Sequence, residues 1–345
     1  MRSGFPPVFR FGNVSIIWRP RSIIVCFGLL LAATIVAMLL LGTGSLKFSP
    51  KEVLETLLGA TQNPAAERIV LGVRLPRVLT AALVGACLGA AGSIFQSISR
   101  NPLGSPDILG FTTGAATGAI VQIILFDAGA LETAAAAVVA GLAAAGLVYS
   151  LAMKGQSSGG YRLVLVGIGV GAVLSGLNTV LLVKGDLDQA MSAQLWLGGS
   201  LSTRSWSHVL PAAIGLFAVI PFVLTYASRL DVIEMGDDTA GQLGVNVERT
   251  RFLMVMMGVG LTAIATAAAG PIAFIALIAP QLARRLTHAP QVPLLSSALM
   301  GATLLLCADL LAQRLPLNLN LPIGLMTGMI GGVYLLWILA RRGKG

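Results

Sequence analysis

The sequence predicts an all-α, polytopic membrane protein of about ten transmembrane helices. Of its 345 residues, 56% are hydrophobic and only 11% are charged, whereas a soluble domain carries about 25% charged residues. The apolar residues fall into stretches of about 20, which is the length that a helix needs to cross the hydrocarbon layer of a bilayer.

Ten apolar stretches are predicted to form a single transmembrane domain, residues 22–341, after a cytoplasmic N-terminal segment, residues 1–21. The first stretch follows several arginines, as the apolar core of a signal peptide does. Its run of about 19 apolar residues exceeds that core, which has about 7–15, so we interpret it as an uncleaved first span. The predicted spans are residues 22–42, 76–98, 107–126, 131–153, 161–183, 208–228, 251–269, 271–286, 294–313 and 322–340.

The distribution of Lys and Arg predicts the orientation. An even number of spans places both termini on one side, and fifteen of the 23 Lys and Arg residues then lie on that side and eight on the other. Because membrane proteins concentrate these residues in cytoplasmic loops, both termini are predicted to be cytoplasmic. The same bias accounts for the formal net charge of +9, so no nucleic-acid partner is expected.

Neither enzyme chemistry nor a metal site is predicted. The chain lacks the G-x-x-x-x-G-K-[ST] motif that holds nucleotide phosphates in many proteins. Its three cysteines, Cys26, Cys87 and Cys307, lie in apolar stretches, where a thiol behaves as a small hydrophobic group. No cluster of His, Cys, Asp or Glu has the composition of a metal site. We therefore expect no catalytic residue, metal or cofactor in this chain.

The predicted inner loop of residues 229–250 contains the pattern of a short helix. Asp237 and Asp238 suit the first turn of a helix, Gly244 suits the left-handed position that ends one, and Asn246 can cap the next span. A rigid helix held between two spans can dock a partner, since ordered loops are often functional. A solvated connector would show the same caps, so the pattern alone leaves both interpretations open.

Three further segments are predicted to be ordered. Residues 49–52, Ser-Pro-Lys-Glu, have the pattern of a capping box and predict a short helix on the outer surface. Residues 189–202, which contain Trp196, predict another short outer helix. Ser105, Pro106 and Asp107 supply a cap, a proline and an acidic residue, and they predict that the third span begins at residue 107.

Asp309 is the main acidic residue within a predicted span. An ionisable group in a membrane is a functional hypothesis by default, but a transporter coupled to protons or sodium usually needs more than one. We therefore expect a structural role, in which polar groups of neighbouring helices satisfy Asp309. An ion-coupled secondary transporter remains the alternative from another functional class.

An ordered series of motifs runs from residue 68 to residue 340. The motifs include Arg74-Leu75-Pro76-Arg77, Asn101-Pro102-Leu103, Trp196 with Gly198-Gly199-Ser200, Gly270-Pro271-Ile272-Ala273-Phe274-Ile275 and Leu321-Pro322-Ile323-Gly324. This series resembles the FecCD family, which comprises permeases of binding-protein-dependent ABC importers for ferric siderophores, haem and vitamin B12. The resemblance implies the ten-helix fold of the vitamin B12 permease BtuC. It also implies a sister permease subunit, two cytoplasmic ATPase subunits that bind the ATP, and a periplasmic binding protein, assembled in the bacterial inner membrane.

The resemblance also implies roles for individual residues. Arg74 and Arg77 are similar to outer arginines that meet carboxylates of the binding protein, where exposed charges give orientation and on-rate more than affinity. Gln313 stands where the family has a third such arginine, and the adjacent Arg314 is the candidate for that role. Contacts with lipid phosphates are the alternative for these arginines. The inner loop is similar to the helix that couples permease to ATPase. The coupling residues carried over are Asp237, Asp238, Ala240, Leu243 and Gly244.

Departures from the family pattern favour the ferric enterobactin branch. Gln281 and Asn320 replace a histidine and a glutamate that are frequent in the family. The resemblance thus implies a heterodimer of permeases that moves a ferric siderophore, of catecholate type, from periplasm to cytoplasm. Another iron chelate, haem or vitamin B12 is the alternative cargo. Small polar groups and glycines suggest that the substrate path passes Ser175, Asn178 and Trp196.

Overall fold

A computed structural model of the chain describes residues 8–11, 14–17, 19–153, 160–314 and 322–342. The N-terminal segment contains a two-stranded antiparallel hairpin, β1 (Val8–Phe11) and β2 (Val14–Ile17). This hairpin was not predicted. Its strands have four residues each, which is the lower limit at which an alternating apolar pattern can be recognised.

Helices make up most of the described chain. The helices are α1 (Pro20–Gly42), α2 (Pro50–Leu57), α3 (Pro64–Ile69), α4 (Leu75–Ser99), α5 (Phe111–Phe126), α6 (Ala130–Ala152), α7 (Gly160–Lys184), α8 (Leu187–Leu197), α9 (Trp206–Glu234), α10 (Asp237–Gln242), α11 (Val247–Ala269), α12 (Ile275–Thr287), α13 (Leu294–Arg314) and α14 (Ile323–Arg342). A π-helical turn, Val70–Arg74, joins α3 to α4.

Ten of these helices correspond to the ten predicted spans, namely α1, α4, α5, α6, α7, α9, α11, α12, α13 and α14. Within the described residues, seven helical segments are long and apolar enough to cross a membrane. Helices α5 and α14 are apolar but offer shorter described segments. The polytopic α-helical fold is therefore confirmed, and the number of full crossings is only approximately ten.

The prediction for the eighth span, residues 271–286, was wrong at its start. Helix α12 begins at Ile275 and has 13 residues, which is about 20 Å at 1.5 Å per residue. The hydrocarbon layer is about 30 Å thick, so α12 is too short to cross it. Residues 270–274 are not helical, because Gly270 and Phe274 both have positive φ angles, of 75° and 69°, which a right-handed helix does not allow. Gly331 of α14 lies against the ring of Phe274 and leaves room for it there.

The third span also begins later than predicted, at Phe111. The hydroxyl of Ser105 accepts a hydrogen bond from the amide of Ile108 at 3.4 Å, as a helix cap would. Gly110, however, has a left-handed conformation with φ of 76°, and this interrupts the helix. Residues 106–110 therefore form turns, and a Cβ on Gly110 would lie only 2.8 Å from the carbonyl oxygen of Gly167 in α7.

Helix α4 lies in the interior of the bundle, and small residues let its neighbours approach closely. In the segment Pro64–Ser99, 78% of the most apolar window is buried, against 6% for α1. Gly85 contacts the backbone of Gly301 in α13, and Gly89 contacts the backbone of Ser297 one turn away. A Cβ on either glycine would overlap a carbonyl oxygen of α13. Such contacts hold helices together in a membrane, where lipid is as apolar as the helix surface.

The two ends of the bundle can be told apart by the helix termini that meet there. Arg21, at the start of α1, donates through Nε to the carbonyl oxygen of Leu286, near the end of α12, at 2.8 Å. Helices α4 and α9 also finish at this end, beside α10, and we call it the α10 end. The start of α4 and the end of α13 meet at the opposite end, which also holds α2 and α3.

Candidate functional site

Helix α10 is the short helix that the inner loop predicts. Its first residue, Asp237, follows Gly236, which has φ of 119°, and Gly244 after its end has φ of 80°. The amide of Val245 donates to the carbonyl of Ala240 at 3.0 Å and closes the turn. Asn246 then caps α11 by accepting a hydrogen bond from the amide of Arg249 at 3.1 Å. The left-handed glycine thus reverses the chain within three residues.

The five candidate coupling residues divide into two groups by exposure. Ala240 is fully buried, and Asp237 is half-buried. Asp238 and Gly244 are exposed, and Leu243 is 63% exposed although it is a large apolar residue. One face of α10 therefore packs on the bundle, while the carboxylate of Asp238 and the apolar side chain of Leu243, directly after the helix, are exposed.

A buried arginine fixes the start of α10 to α11. The side chain of Arg251 is 0% exposed, and its Nη2 donates to Oδ2 of Asp237 at 2.7 Å. Its Nη1 donates to Glu248, and the hydroxyl of Tyr149 in α6 donates to Oε2 of Glu248 at 3.1 Å. Arg100, which follows α4, lies 3.7 Å from Oδ1 of Asp237. Asp237 is thus held by charges from two different parts of the bundle.

A second ion-pair cluster fixes the end of α9, which two residues separate from α10. Oε1 of Glu234 accepts hydrogen bonds from Oγ of Ser97 in α4 at 2.6 Å and from Nη2 of Arg284 in α12 at 2.7 Å. One turn earlier, Oδ1 of Asp231 accepts from the amide of Val292 at 2.6 Å. The segment that carries α10 is therefore fastened to α4, α11 and α12. No local pattern predicts these partners, because they lie 50 to 137 residues from Glu234 along the chain.

The three candidate outer arginines lie at the opposite end, but in different environments. Arg74 donates through Nη1 to the carbonyl of Leu41 at 2.7 Å, and its guanidinium lies 5.1 Å from the ring centre of Phe48. Arg77 is 23% exposed in its side chain and is engaged by an ion pair. Arg314, at the end of α13, is exposed. The family resemblance predicts one role for all three arginines, whereas the structure shows that they differ in exposure and in partners.

Arg77 forms a bidentate ion pair with Asp309. Its Nη2 lies 2.6 Å from Oδ1 and its Nε 3.1 Å from Oδ2. Asp309 is 1% exposed in its side chain, and Nε2 of Gln313 also donates to its Oδ2 at 3.0 Å. The expectation that neighbouring polar groups satisfy Asp309 is therefore met, and its main partner is an arginine that the sequence suggested for another role.

The three candidate path residues do not converge on one cavity. Ser175 is exposed on α7, whereas Asn178, one turn later, is 8% exposed. Trp196 at the end of α8 is half-buried and packs on the alanine cluster of Ala115 and Ala119. A separate cavity of about 260 Å³ lies between the start of α5, the end of α8 and the start of α14. Asp107 lines that cavity and accepts a hydrogen bond from Thr112 at 2.7 Å.

Among the residues that the structure describes, no group of three or more His, Cys, Asp or Glu could hold a metal ion. The cysteines are free: Cys87 is buried, and Cys26 and Cys307 are half-buried. Apart from the pair of Arg251 and Glu248 within α11, the ion pairs described above join different segments of the bundle. These ion pairs thus hold segments of the bundle together.

Relatives of the chain were found at the levels of family, sequence and fold. The model of the FecCD transport family matches residues 29–341. The ferric enterobactin transport system permease protein FepG of Escherichia coli is 42% identical over 324 residues, covering 94% of this chain and 98% of that protein. The Fe(3+)-citrate import system permease protein YfmE of Bacillus subtilis is 37% identical, covering 90% and 95%. The hemin transport system permease protein HmuU of Yersinia pestis is 34% identical, covering 91% and 96%.

A solved structure has the same fold as this chain. It is an ABC transporter of metal-chelate type in an inward-facing conformation, and it matches with a TM-score of 0.83 and 29% identity, covering 92% of this chain and 99% of that one. The matching proteins are permease subunits of ABC importers rather than enzymes, as the sequence resemblance implied. The chain is therefore a multi-pass inner-membrane permease and belongs to the FecCD transport family.

Proposed function

We propose that this chain is the membrane-spanning subunit of an ABC importer that moves a ferric siderophore of catecholate type from periplasm to cytoplasm. The observation that carries the cargo class is the 42% identity with FepG over almost the full length of both chains. That identity exceeds the 37% shared with the ferric citrate permease YfmE and the 34% shared with the hydroxamate permease FhuG of Bacillus subtilis. Another iron chelate, haem or vitamin B12 is the alternative cargo.

The energy for import would come from two cytoplasmic ATPase subunits. The chain has no nucleotide-binding motif of its own, so a partner must supply the ATP-driven step. Helix α10 is the proposed contact, since Asp238 and Leu243, the residue directly after the helix, are exposed while Ala240 is packed inside. Assigning the α10 end to the cytoplasm agrees with the excess of Lys and Arg in the predicted inner segments and places the start of α1 there.

The permease would act as one half of a heterodimer with a sister permease, and the path for the chelate would lie between them. Helix α7 supports this arrangement, because Gly169 and Gly176 have open space beside them and Ser175 is exposed. Exposed small residues allow another helix to approach closely. We propose that the path passes Ser175, Asn178 and Trp196, and that the cavity beside Asp107 forms part of its wall.

The opposite end would face the periplasmic binding protein. We propose that Arg74, Arg77 and Arg314 meet carboxylates on that protein, and that Arg314 contributes most to the rate of encounter because it is the exposed member. Rim charges of this kind act mainly on orientation and on-rate. Contact with lipid phosphates is the alternative, and it predicts that binding-protein affinity is unchanged in an Arg314→Glu variant.

Reconstitution in proteoliposomes tests the proposal. The vesicles would contain this chain, the sister permease and the ATPase, with the binding protein outside, and the measurement is uptake of iron-55 as a catecholate chelate. We expect uptake that requires ATP inside and continues without a proton gradient. Uptake driven by a proton gradient without ATPase would instead establish the ion-coupled transporter. Parallel uptake assays with hydroxamate, citrate and haem complexes would overturn the catecholate assignment if any of them were carried faster.

A further inference from the structure

A cavity of about 550 Å³ opens at the α10 end of the bundle, between the end of α4, the end of α9 and α12. It is separate from the cavity beside Asp107, which lies near the starts of α5 and α14. Ligand-binding cavities generally measure about 300–1,000 Å³, so this one has room for several side chains of a partner. None of the roles described so far uses it.

The walls of this cavity carry an excess of positive charge. Arg100, Arg284 and Arg285 line it together with a single acid, Glu234, and with His288. Three arginines against one glutamate give a formal charge of +2 with the histidine neutral. An open cavity lined by one sign of charge attracts groups of the opposite sign and raises their local concentration.

The positive charge is only partly compensated within the chain. Glu234 is already held by Arg284 at 2.7 Å. Arg100 has a looser contact, 3.7 Å from Asp237, and its side chain is 41% exposed. Arg285 is exposed, and among the described residues it takes part in no ion pair. Arg285 and Arg100 therefore remain as guanidinium groups that a carboxylate from outside could reach.

We propose that this cavity receives an acidic segment of the cytoplasmic ATPase, as a second docking point beside α10. The inference depends on the proposed function, because it assumes that α10 meets the ATPase. Arg100 provides the continuity, since it lines the cavity and also contacts Asp237, the first residue of α10. Arginine is suited to such a contact because its planar fork binds a carboxylate through two parallel hydrogen bonds.

Two docking points would change how the ATPase holds the permease. Once α10 is engaged, binding at the cavity is intramolecular and proceeds at a high effective concentration, so the two contacts strengthen each other. An entering carboxylate would also compete with Asp237 for Arg100. Occupation of the cavity would then weaken the contact between Arg100 and Asp237 at the start of α10, the helix that is proposed to contact the ATPase.

Photo-crosslinking tests the inference directly. The probe p-benzoylphenylalanine would replace His288, an exposed residue that lines the cavity, or the exposed Leu243 directly after α10, in the complete transporter complex. The crosslinked peptides would be identified by mass spectrometry. We expect position 288 to capture an ATPase peptide that contains Asp or Glu. Capture of lipid alone at position 288, with an ATPase crosslink at position 243, would overturn the cavity assignment and leave the proposed function intact. The absence of ATPase crosslinks at both positions would overturn both.

A charge reversal gives a quantitative test. Arg285→Glu would be compared with Arg229→Glu, an exposed arginine of α9 that stacks on Tyr226 at 4.7 Å and lies outside the cavity. In nanodiscs, we expect Arg285→Glu to weaken ATPase binding about tenfold at low salt and less at high salt, since salt screens exposed charges. Arg229→Glu should leave the affinity unchanged. Equal affinities for the two variants would contradict the inference, and Arg285→Gln, with an intermediate effect, guards against a folding artefact.

Discussion

The guanidinium of Arg251, which is wholly buried, donates to the carboxylate of Asp237 at 2.7 Å. This contact fastens the first residue of α10 to the fifth residue of α11. A helix of six residues has almost no stability of its own, so contacts of this kind determine how α10 is held. The same carboxylate faces Arg100. A displacement of α10 would therefore move α11 and the end of α4 together with it.

Replacing Arg251 by Met should destabilise the protein strongly. The change removes the main charge partner of Asp237 and Glu248, and loss of one member of a buried ion pair typically costs about 3–5 kcal/mol. We expect a lower midpoint of unfolding in detergent and fewer chelates carried per ATP. The control is Arg249→Met, an exposed arginine two residues away, which should behave as wild type. If both variants had the same midpoint of unfolding, the contacts of Arg251 would not be what stabilises this region.

Gly244 should be far less replaceable than Gly241, although both belong to the α10 segment. Gly244 has φ of 80°, whereas Gly241 is helical, and neither would bring a Cβ within 4 Å of another group. Gly244→Ala therefore meets only backbone strain, about 1–2 kcal/mol. Gly241→Ala should be neutral or stabilising by about 0.5–1 kcal/mol.

The measurement for these two glycine variants is the stimulation of the ATPase by the reconstituted permease. Loss of stimulation is expected only for Gly244→Ala, because the turn that ends α10 would shift the helix. If Gly241→Ala failed in the same way, space on the outer face of α10 would be the deciding property, and the backbone explanation would be wrong.

Exchanging Glu234 and Arg284 should restore the coupling of ATP hydrolysis to transport that either single change impairs. Arg284→Glu places two acids together at the end of α9 and next to Asp231, and like charges disfavour that arrangement. We expect this variant to fold but to couple ATP hydrolysis to transport poorly, because α9 would be loosened from α12. The double variant Glu234→Arg with Arg284→Glu recreates the pair in reverse. Recovery of at least half of the transport rate is expected, and no recovery would mean that the residues act independently.

Local features of the site could be predicted from the sequence, whereas its ion pairs could not. Helix α10 and its flanking turns follow from signals a few residues apart: acids in the first turn, a glycine after the end and an asparagine cap. The partners of Asp237 and Glu234 come from α4, α11 and α12, and no spacing along the chain brings them together. Arg251 and Arg284 therefore looked like ordinary positive charges of inner loops.

The same distinction explains the errors in the spans. Apolar content located ten helices, because the length of an apolar run is a local property. The same criterion placed the start of the eighth span at residue 271 rather than at Ile275, because residues 270–274 are also mostly apolar. The break there depends on a left-handed Phe274, and space for its ring is provided by Gly331, 57 residues away. Propensity alone would not place a phenylalanine in that conformation.

Gly85→Ala should disturb the bundle although it adds a single methyl group. The new Cβ would overlap the carbonyl oxygen of Gly301, and forcing extra atoms into a packed contact costs about 1–3 kcal/mol. Gly28→Ala in α1 is the matched control, because nothing lies within 4 Å of a Cβ there. We expect the midpoint of thermal unfolding in detergent to fall for Gly85→Ala and to stay or rise for Gly28→Ala. Equal midpoints would contradict the close approach of α4 and α13.

Arg77 and Asp309 differ in exposure, so we expect the loss of one member of this ion pair to cost more stability than the loss of the other. Arg77→Met leaves a carboxylate that is 1% exposed, and among the described residues Gln313 is then its one side-chain donor. A loss of about 3–5 kcal/mol is therefore expected. Asp309→Asn keeps an acceptor for the guanidinium, which is 23% exposed and can be solvated. This variant should lose less stability than Arg77→Met.

Replacing both members together, Arg77→Met with Asp309→Leu, should recover most of the stability, because a buried ion pair is often no more stable than apolar residues of similar volume. Unfolding in detergent measures all three variants under one condition. In the reconstituted complex, Asp309→Asn should retain ATP-driven uptake, since the carboxylate would serve structure rather than proton transfer. Complete loss of uptake in a variant that is still folded and still stimulates the ATPase would instead make Asp309 part of an ion pathway and revive the secondary-transport mechanism.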